Sequence, residues 1–475
     1  MAGGGCNHRQ SAVFRRKDAP TDTRRYYVDR LFVAYRGRVP AEADLVVYWF
    51  EKAWEHVLSD HHSRAGLVAT QAIRRGQNRA VLDRIQTRHG IFDAWDDEPW
   101  VLDGAAVRVS LICFGSGSRT GEVRLDGRAV QRINPDLSAA IDLTAVHSLI
   151  GNRGIAFMGD TKGGAFDVSG ELAREWLQMP LNPNGRPNAD VLRPWINGLD
   201  VTRRRSDHWI IDFGCKMSEA GAALYEAPFR YVREHVCPAR QELRREAYRQ
   251  FWWRHVEPRP GMRRALRGFR RYLVTPRVAK HRLFQWIDIT TVPDSRLFVF
   301  ARDDDYFFGI LQSSFHVLWA LALGSRHGDG DRGGRPTYNN EICFATYPFP
   351  KGLTPNRPAV EYADDTRAIA IAKAARRLNE LREAWLNPPD LVERVPEVVP
   401  GYPARIAPVS PKAAVILKKR TLTNLYNERP AWLDDAHRDL DVVVAAAYGW
   451  PAEISEEDAL AHLLALNRER AGAEP

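Results

Sequence analysis

Between residues 43 and 114 the hydrophobic period switches repeatedly, and this restricts the segment to a layered arrangement of helices on a sheet. Over 43–58, apolar residues recur at Leu45, Val46, Trp49, Phe50, Ala53, Val57 and Leu58, which is one face of a helix. Residues 64–70 then read as a short strand and 73–88 as a helix stopped at Arg88-His89-Gly90. Two further strands are expected over 91–95 and 105–114. In the second, Val107, Val109 and Leu111 alternate with Arg108 and Ser110, so one face is apolar. Helix, strand, helix, strand, strand is half of a wound α/β sheet. A hairpin signal follows at Leu125-Asp126-Gly127-Arg128.

Beyond residue 135 the pattern loosens into Gly/Pro/Asn loops, short strands and a basic helical stretch. After residue 354 it turns helical. Residues 360–386 read as an amphipathic helix, 388–411 as a Pro-rich extended connector, and 431–449 and 455–470 as two capped helices. The sequence Asn387-Pro388-Pro389-Asp390 follows directly on a helix and reads as its stop, because proline cannot continue the helix.

The charge is concentrated in one place. Residues 230–282 hold 16 Lys and Arg against 4 Glu and no Asp, whereas the whole chain carries a formal charge of only +9. The rest of the chain is therefore slightly acidic. Tyr231, Phe251, Trp252, Trp253, Phe269 and Tyr272 lie among these cations. Clustered arginine interleaved with aromatics suits a phosphate backbone, since guanidinium forks onto phosphate or guanine. Double-stranded DNA is the expected partner, with a solvated, salt-bridged helix face and a few core aromatics as the alternative.

Other classes are disfavoured. The apolar stretch 310–323 is broken by Gln312, Ser313, Ser314 and His316 and is too short to span a bilayer. No secretory h-region follows the first residues, and a cytoplasmic protein is expected. Five dispersed cysteines, without a CxxC pair or histidines at zinc spacing, read as reduced thiols, and no metal is expected.

Several strings carry a resemblance. They include Gly37-Arg38-Val39-Pro40, Ala43-Asp44-Leu45-Val46-Val47-Tyr48-Trp49-Phe50, Gly66-Leu67-Val68-Ala69-Thr70 and Val101-Leu102-Asp103-Gly104-Ala105. Further on come Tyr272-Leu273-Val274-Thr275-Pro276-Arg277, Asp304-Asp305-Tyr306-Phe307-Phe308-Gly309, Tyr347-Pro348-Phe349-Pro350 and Arg420-Thr421-Leu422-Thr423-Asn424. In this order the chain from Tyr26 onward resembles the large MmeI-like adenine-specific DNA methyltransferases of type IIG/IIL. The resemblance implies an α/β fold: a partial Rossmann-like methyltransferase core over 26–130, a mixed α+β target-recognition domain over 131–352, and a small helical C-terminal domain over 353–475. It also implies S-adenosylmethionine as the family's cofactor. Neither the DPACGSG-type cofactor loop nor an NPPF or NPPY motif occurs here, so this chain alone is expected neither to bind the cofactor nor to methylate. Residues 1–25 read as an aberrant N-terminus: codons for residues 7–19 read one nucleotide later can encode TIGNPPFSGGKMR, as a frameshift would leave.

The resemblance also distributes roles. Trp100 is the candidate for stacking on a flipped adenine, with a tryptophan covering the sheet edge as the alternative. Asp44 and Tyr48 are placed on the cofactor side. For DNA contact, the basic stretch offers Arg263, Arg264, Arg267, Arg270, Arg271, Arg277, Lys280, His281 and Arg282. The polar loop 324–340 offers Arg326, Arg332, Arg335, Tyr338, Asn339 and Asn340, with an ordinary surface loop as the alternative. Three readings stay open: the recognition half of an adenine-N6 methyltransferase in a restriction-modification or phage-defence system, a split enzyme whose missing half is another chain, and a stand-alone DNA-binding protein without catalysis.

Overall fold

A computed structural model describes residues 21–473 apart from 42, 61–62, 75, 89, 103–104, 116–121, 140–145 and 328–333. The stretch 1–20, and with it most of the segment read as a frameshift remnant, lies outside the described residues, as does Arg332. Two compact units divide the chain: Met1–Ala145 with Gly328–Gly334, and Val146–His327 with Arg335–Pro475.

The first unit runs α1 (Thr21–Ala34), α2 (Leu45–Ser59), β1 (Arg64–Thr70), α3 (Ala80–Thr87), β2 (Ile91–Leu102), β3 (Ala105–Gly115), β4 (Val123–Leu125) and β5 (Arg128–Val130). The strands form one sheet in the order β1-β3-β2-β4-β5. β3 is antiparallel to both β1 and β2, and β2 is parallel to β4. The expected helix–strand alternation is therefore present, with its last two strands folded into one long hairpin. β2 extends beyond 91–95 because a register shift between Trp95 and Glu98 carries the pairing past Asp96 and Asp97. Pro99 is tolerated there because β4 pairs with β2 only at Asp93 and Ala94, so the other edge at Pro99 demands no N–H. The expected single helix over 73–88 is instead two 3-10 turns, Gln71–Arg74 and Gly76–Arg79, leading into α3. Gly76 at the break is a weak helix former. The core unites Phe50, Trp54 and Val57 of α2 with Ile85 of α3 and Ile112 and Phe114 of β3. Asp126 and Gly127 turn the β4–β5 hairpin with φ of 52° and 73°, the left-handed pair that a two-residue turn requires.

The second unit opens with β6 (Ala156–Met158), β7 (Asp167–Ser169), α4 (Gly170–Leu177), β8 (Leu192–Ile196), α5 (Gly198–Thr202) and β9 (His208–Ile211). Short helices follow: α6 (Glu219–Ala223), α7 (Glu226–His235), α8 (Cys237–Gln241), α9 (Glu246–Gln250) and α10 (Pro260–Ala265). Next come β10 (Arg271–Pro276), β11 (Gln285–Asp288), β12 (Val292–Pro293), β13 (Leu297–Phe300), α11 (Asp305–Gln312), α12 (Ser314–Leu323), β14 (Arg326–His327) and β15 (Arg335–Pro336). The unit closes with α13 (Thr366–Leu386), β16 (Val392–Val395), β17 (Arg405–Pro408), α14 (Pro411–Leu417), α15 (Leu422–Glu428), α16 (Ala431–Tyr448) and α17 (Glu456–Ala473).

Two four-stranded sheets, β11-β10-β13-β6 and β12-β8-β9-β7, carry the first part of this unit, and β14–β15 and β16–β17 are separate two-stranded hairpins. The connector expected over 388–411 thus contains paired structure, because Val392–Val395 and Arg405–Pro408 flank its proline-rich middle and find each other. The helix expected from residue 360 starts at Thr366, where the Asp365 side chain accepts the N–H groups of Arg367 and Ala368. α11 lies directly on α13: a Cβ at Gly309 would come within 2.6 Å of Ile371. Among the described residues no single helix is long and apolar enough to cross a membrane.

Candidate nucleic-acid interface

The basic stretch does not present one charged face. Tyr272, Trp252 and Trp253 are core residues, and Arg240 is 1% exposed with its guanidinium on the carbonyls of Lys162 and Arg254. Arg263, expected on DNA, is held between Asp160 at 2.5 Å and Asp212 at 2.6 Å. Burial opposes its charge, but the two carboxylates outweigh burial and push its pKa up. Arg271 donates to Asp305 at 2.7 Å and lies 3.8 Å from the Trp286 ring centroid. Each is committed to the fold because carboxylates distant in sequence reach it.

Arg282 is a second correction. It is 5% exposed, donating to Thr275 Oγ1 at 3.0 Å and to the carbonyls of Pro276 and Pro336, with Tyr338's ring 4.9 Å away. Burial without a carboxylate partner pulls its pKa down to about 10, which leaves it charged at neutral pH. Tyr338, expected to read bases, is 2% exposed among Phe284, Phe298 and Phe300. Its hydroxyl donates to His316 Nε2 at 3.1 Å while His316 Nδ1 donates to the Leu311 carbonyl. That tautomer is neutral, in keeping with burial drawing the His316 pKa down to about 3. A tyrosine so buried cannot reach a groove, and its size and aromatic neighbours explain why the core keeps it.

Other candidates do reach solvent. Arg264, Arg267 and Arg270 are exposed on α10 and the turn after it, and Arg277 and Lys280 are exposed on the loop between β10 and β11. Arg335 is exposed on β15, and Arg326 lies on its partner strand β14. Asn339 is exposed but spends its amide oxygen on the Glu341 N–H, capping a π-turn, and Asn340 is half-buried within that turn.

The loop and hairpin form one framework. Val278 bridges Thr337, the Tyr338 N–H donates to the Arg277 carbonyl at 2.7 Å, and Ala279 donates to the Pro336 carbonyl. Buried Arg282 ties both segments from below. On the other side, Lys280 Nζ and His281 Nε2 both donate to Asn427 Oδ1 of α15, the latter at 2.9 Å. Sequence reasoning missed Asn427, since nothing local links positions 146 residues apart. The result is an exposed basic patch of Arg277, Lys280 and Arg335 on a hydrogen-bonded base.

In the first unit, Trp100 is 43% exposed on β2 opposite Val107, within the long hairpin rather than before a strand. Asp44 precedes α2 and exchanges reciprocal bonds with Asn78: its N–H donates to Asn78 Oδ1 and its carboxylate accepts from Asn78 Nδ2, both at 2.7 Å. Tyr48 is 5% exposed, edge-on to Tyr35, with a buried unpartnered hydroxyl. These two do not converge on a cradle for S-adenosylmethionine. One is satisfied by its neighbour and the other faces the core, so no step through that cofactor follows from them.

No protein-family model matches this sequence, and no curated protein matches it. Among solved structures the chain is similar to the type IIL restriction-modification enzyme MmeI in complex with DNA. The TM-score is 0.68 at 18% sequence identity, covering 94% of this chain and 55% of that one. The fold is shared. A weaker likeness, to the type IIG restriction endonuclease BpuSI, has a TM-score of 0.27 at 9% identity over 92% of this chain and 53% of that one. The chain spans about half the length of both.

Proposed function

We propose that this chain recognises double-stranded DNA and is the target-recognition portion of a site-specific adenine-N6 methyltransferase in a restriction-modification system. The observation that carries the reading is the exposed Arg277–Lys280–Arg335 patch on a framework closed by main-chain bonds, where phosphate contact would fix register and nearby side chains would read base edges. The fold shared with MmeI supports it, since that protein was solved bound to DNA. Methyl transfer would require the cofactor loop and the NPPF or NPPY motif from a further segment or chain. The edge of β1, which pairs only with β3 among the described residues, offers a place where such a segment could continue the sheet.

The test is binding of the purified chain to labelled duplex DNA by fluorescence anisotropy over a salt series. The reading expects saturable binding whose logarithm falls linearly with log salt. Absence of binding at low salt would remove it.

A further inference from the structure

Lys280, exposed, and His281, half-buried, stand between two pinned positions on the loop from β10 to β11. Before them the Ala279 N–H donates to the Pro336 carbonyl, and after them buried Arg282 donates to Thr275 Oγ1 and the Pro276 carbonyl. Among the described residues, every hydrogen bond made by Lys280 and His281 themselves runs to one atom, Asn427 Oδ1. That from His281 Nε2 is 2.9 Å long. No other group shares in holding the pair.

The oxygen that holds them is itself fixed. Asn427 lies near the end of α15, whose Leu422 and Leu425 are buried. Thr421 caps this helix by accepting the Asn424 N–H at 3.1 Å, and Thr423 Oγ1 donates to the Thr202 carbonyl at 3.1 Å. The neighbouring Tyr426 hydroxyl donates to His437 Nε2 of α16 at 2.9 Å, and its ring centroid lies 6.0 Å from that of His281. Asn427 therefore projects from a helix anchored on both sides.

The chemistry of the holder decides what it can do. A carboxylate in this place would grip the two donors harder, but it would cancel the lysine charge that attracts phosphate. A neutral amide oxygen fixes direction and leaves the charge intact. Among the described residues no carboxylate pairs with Lys280, and Asp434, close by in sequence, is taken by Arg429. An unrestrained lysine loses its rotamer freedom when it meets an anion, and ordering it beforehand removes that cost.

We propose that Asn427 is a positioning residue for duplex DNA, a neutral latch that orders Lys280 and His281 on the loop that carries Arg277 before the phosphate backbone arrives. The inference rests on the DNA-recognition reading above and adds to it a residue from the C-terminal helices.

Fluorescence anisotropy with duplex DNA over a salt series tests it in four chains: wild type, Asn427→Ala, Lys280→Ala with His281→Ala, and all three substitutions together. Asn427→Ala should weaken binding about threefold to tenfold, the range expected for ordering side chains of this kind. Its salt slope should stay unchanged, because no phosphate contact is lost. Once Lys280 and His281 are alanine, the same substitution should change affinity by less than about twofold. An asparagine that merely supports the fold would weaken binding in both backgrounds, and that result overturns the proposal. Wild-type affinity in Asn427→Ala overturns it too. Thermal melting checks that each variant folds; Asn427 is exposed, so its loss should leave melting nearly unchanged.

Asn427→Asp separates position from charge. It keeps the acceptor but neutralises Lys280, so it should bind more weakly than Asn427→Ala, with a log–log salt slope shallower by about 0.9. Binding by Asn427→Asp as tight as wild type would overturn the neutral latch. Absence of duplex binding by the wild-type chain would remove the DNA-recognition reading and this inference with it. Duplex binding without coupling between Asn427 and the loop pair would remove this inference alone.

Discussion

Arg263 Nη2 donates to Asp160 Oδ2 at 2.5 Å, closing a charge network over a separation of 103 residues. Asp160 also holds His255 Nδ1 at 2.8 Å, Arg263 holds Asp212 at 2.6 Å, and His255 Nε2 donates to the Ile211 carbonyl. With an acceptor on each ring nitrogen, His255 is an imidazolium, so two cations balance two anions in the interior. Removing one member leaves a buried charge unbalanced. Arg263→Ala should therefore cost about 3 kcal/mol in urea denaturation. Arg264→Ala, one residue on but exposed, should stay within about 0.5 kcal/mol. Equal losses would mean that the network does not act as described.

The same network sets a pH dependence. Burial alone would lower the His255 pKa, but Asp160 and Asp212 overcome burial and the net shift is upward. Its contribution to stability is thus complete below the unfolded histidine value of about 6.5 and fades as pH rises through the folded value. Burial would raise Asp212, but Arg263 and His255 outweigh it and bring the net shift down. That contribution is present above the unfolded carboxylate value of about 3.9 and fades as pH falls through the folded one. Melting temperatures across pH should show a loss on the alkaline side of 6.5 that disappears in His255→Asn. An alkaline limb unchanged in that variant would assign the loss to other groups.

On the exposed loop, Arg277→Ala with Lys280→Ala should leave stability nearly unchanged while weakening duplex binding. If each contacts one phosphate, the log–log salt slope should become shallower by about 2, at roughly 0.9 per contact. An unchanged slope would exclude this loop from the interface.

Tyr338 separates a core role from a reading role. Tyr338→Phe loses the bond to His316 and should cost about 1 kcal/mol, with site preference on DNA intact. Tyr338→Ala empties an aromatic site and should cost about 3–5 kcal/mol. Altered sequence preference in the folded Phe variant would restore Tyr338 as a base reader.

Local order was readable where local rules decide it. β1 was expected over 64–70 and spans Arg64–Thr70, the Asp126-Gly127 turn requires its left-handed pair, and Asn387 ends α13 as the prolines after it dictate. What escaped was set by distant partners. Nothing around Arg263, Arg271 or Arg282 says that Asp160, Asp305 or the Pro336 carbonyl will claim them, so a run of arginines looked like a surface when much of it is scaffold. The β16–β17 hairpin was missed for a similar reason, since its proline-rich middle hid the flanking segments that pair.

Main-chain bonds hold the β14–β15 hairpin to the loop beside it: the Val278–Thr337 bridge, Tyr338 N–H to the Arg277 carbonyl, and Ala279 N–H to the Pro336 carbonyl, with Thr337 N–H to the Ser325 carbonyl within the hairpin. A peptide group is the same whatever side chain it carries. The exposed side chains of Arg277 and Arg335 can therefore be exchanged while the hydrogen-bonded positions stay fixed, as a bit is changed in a drill without altering the chuck. New contacts on this surface would arise by substitution at those exposed positions, at little risk to the rest of the fold.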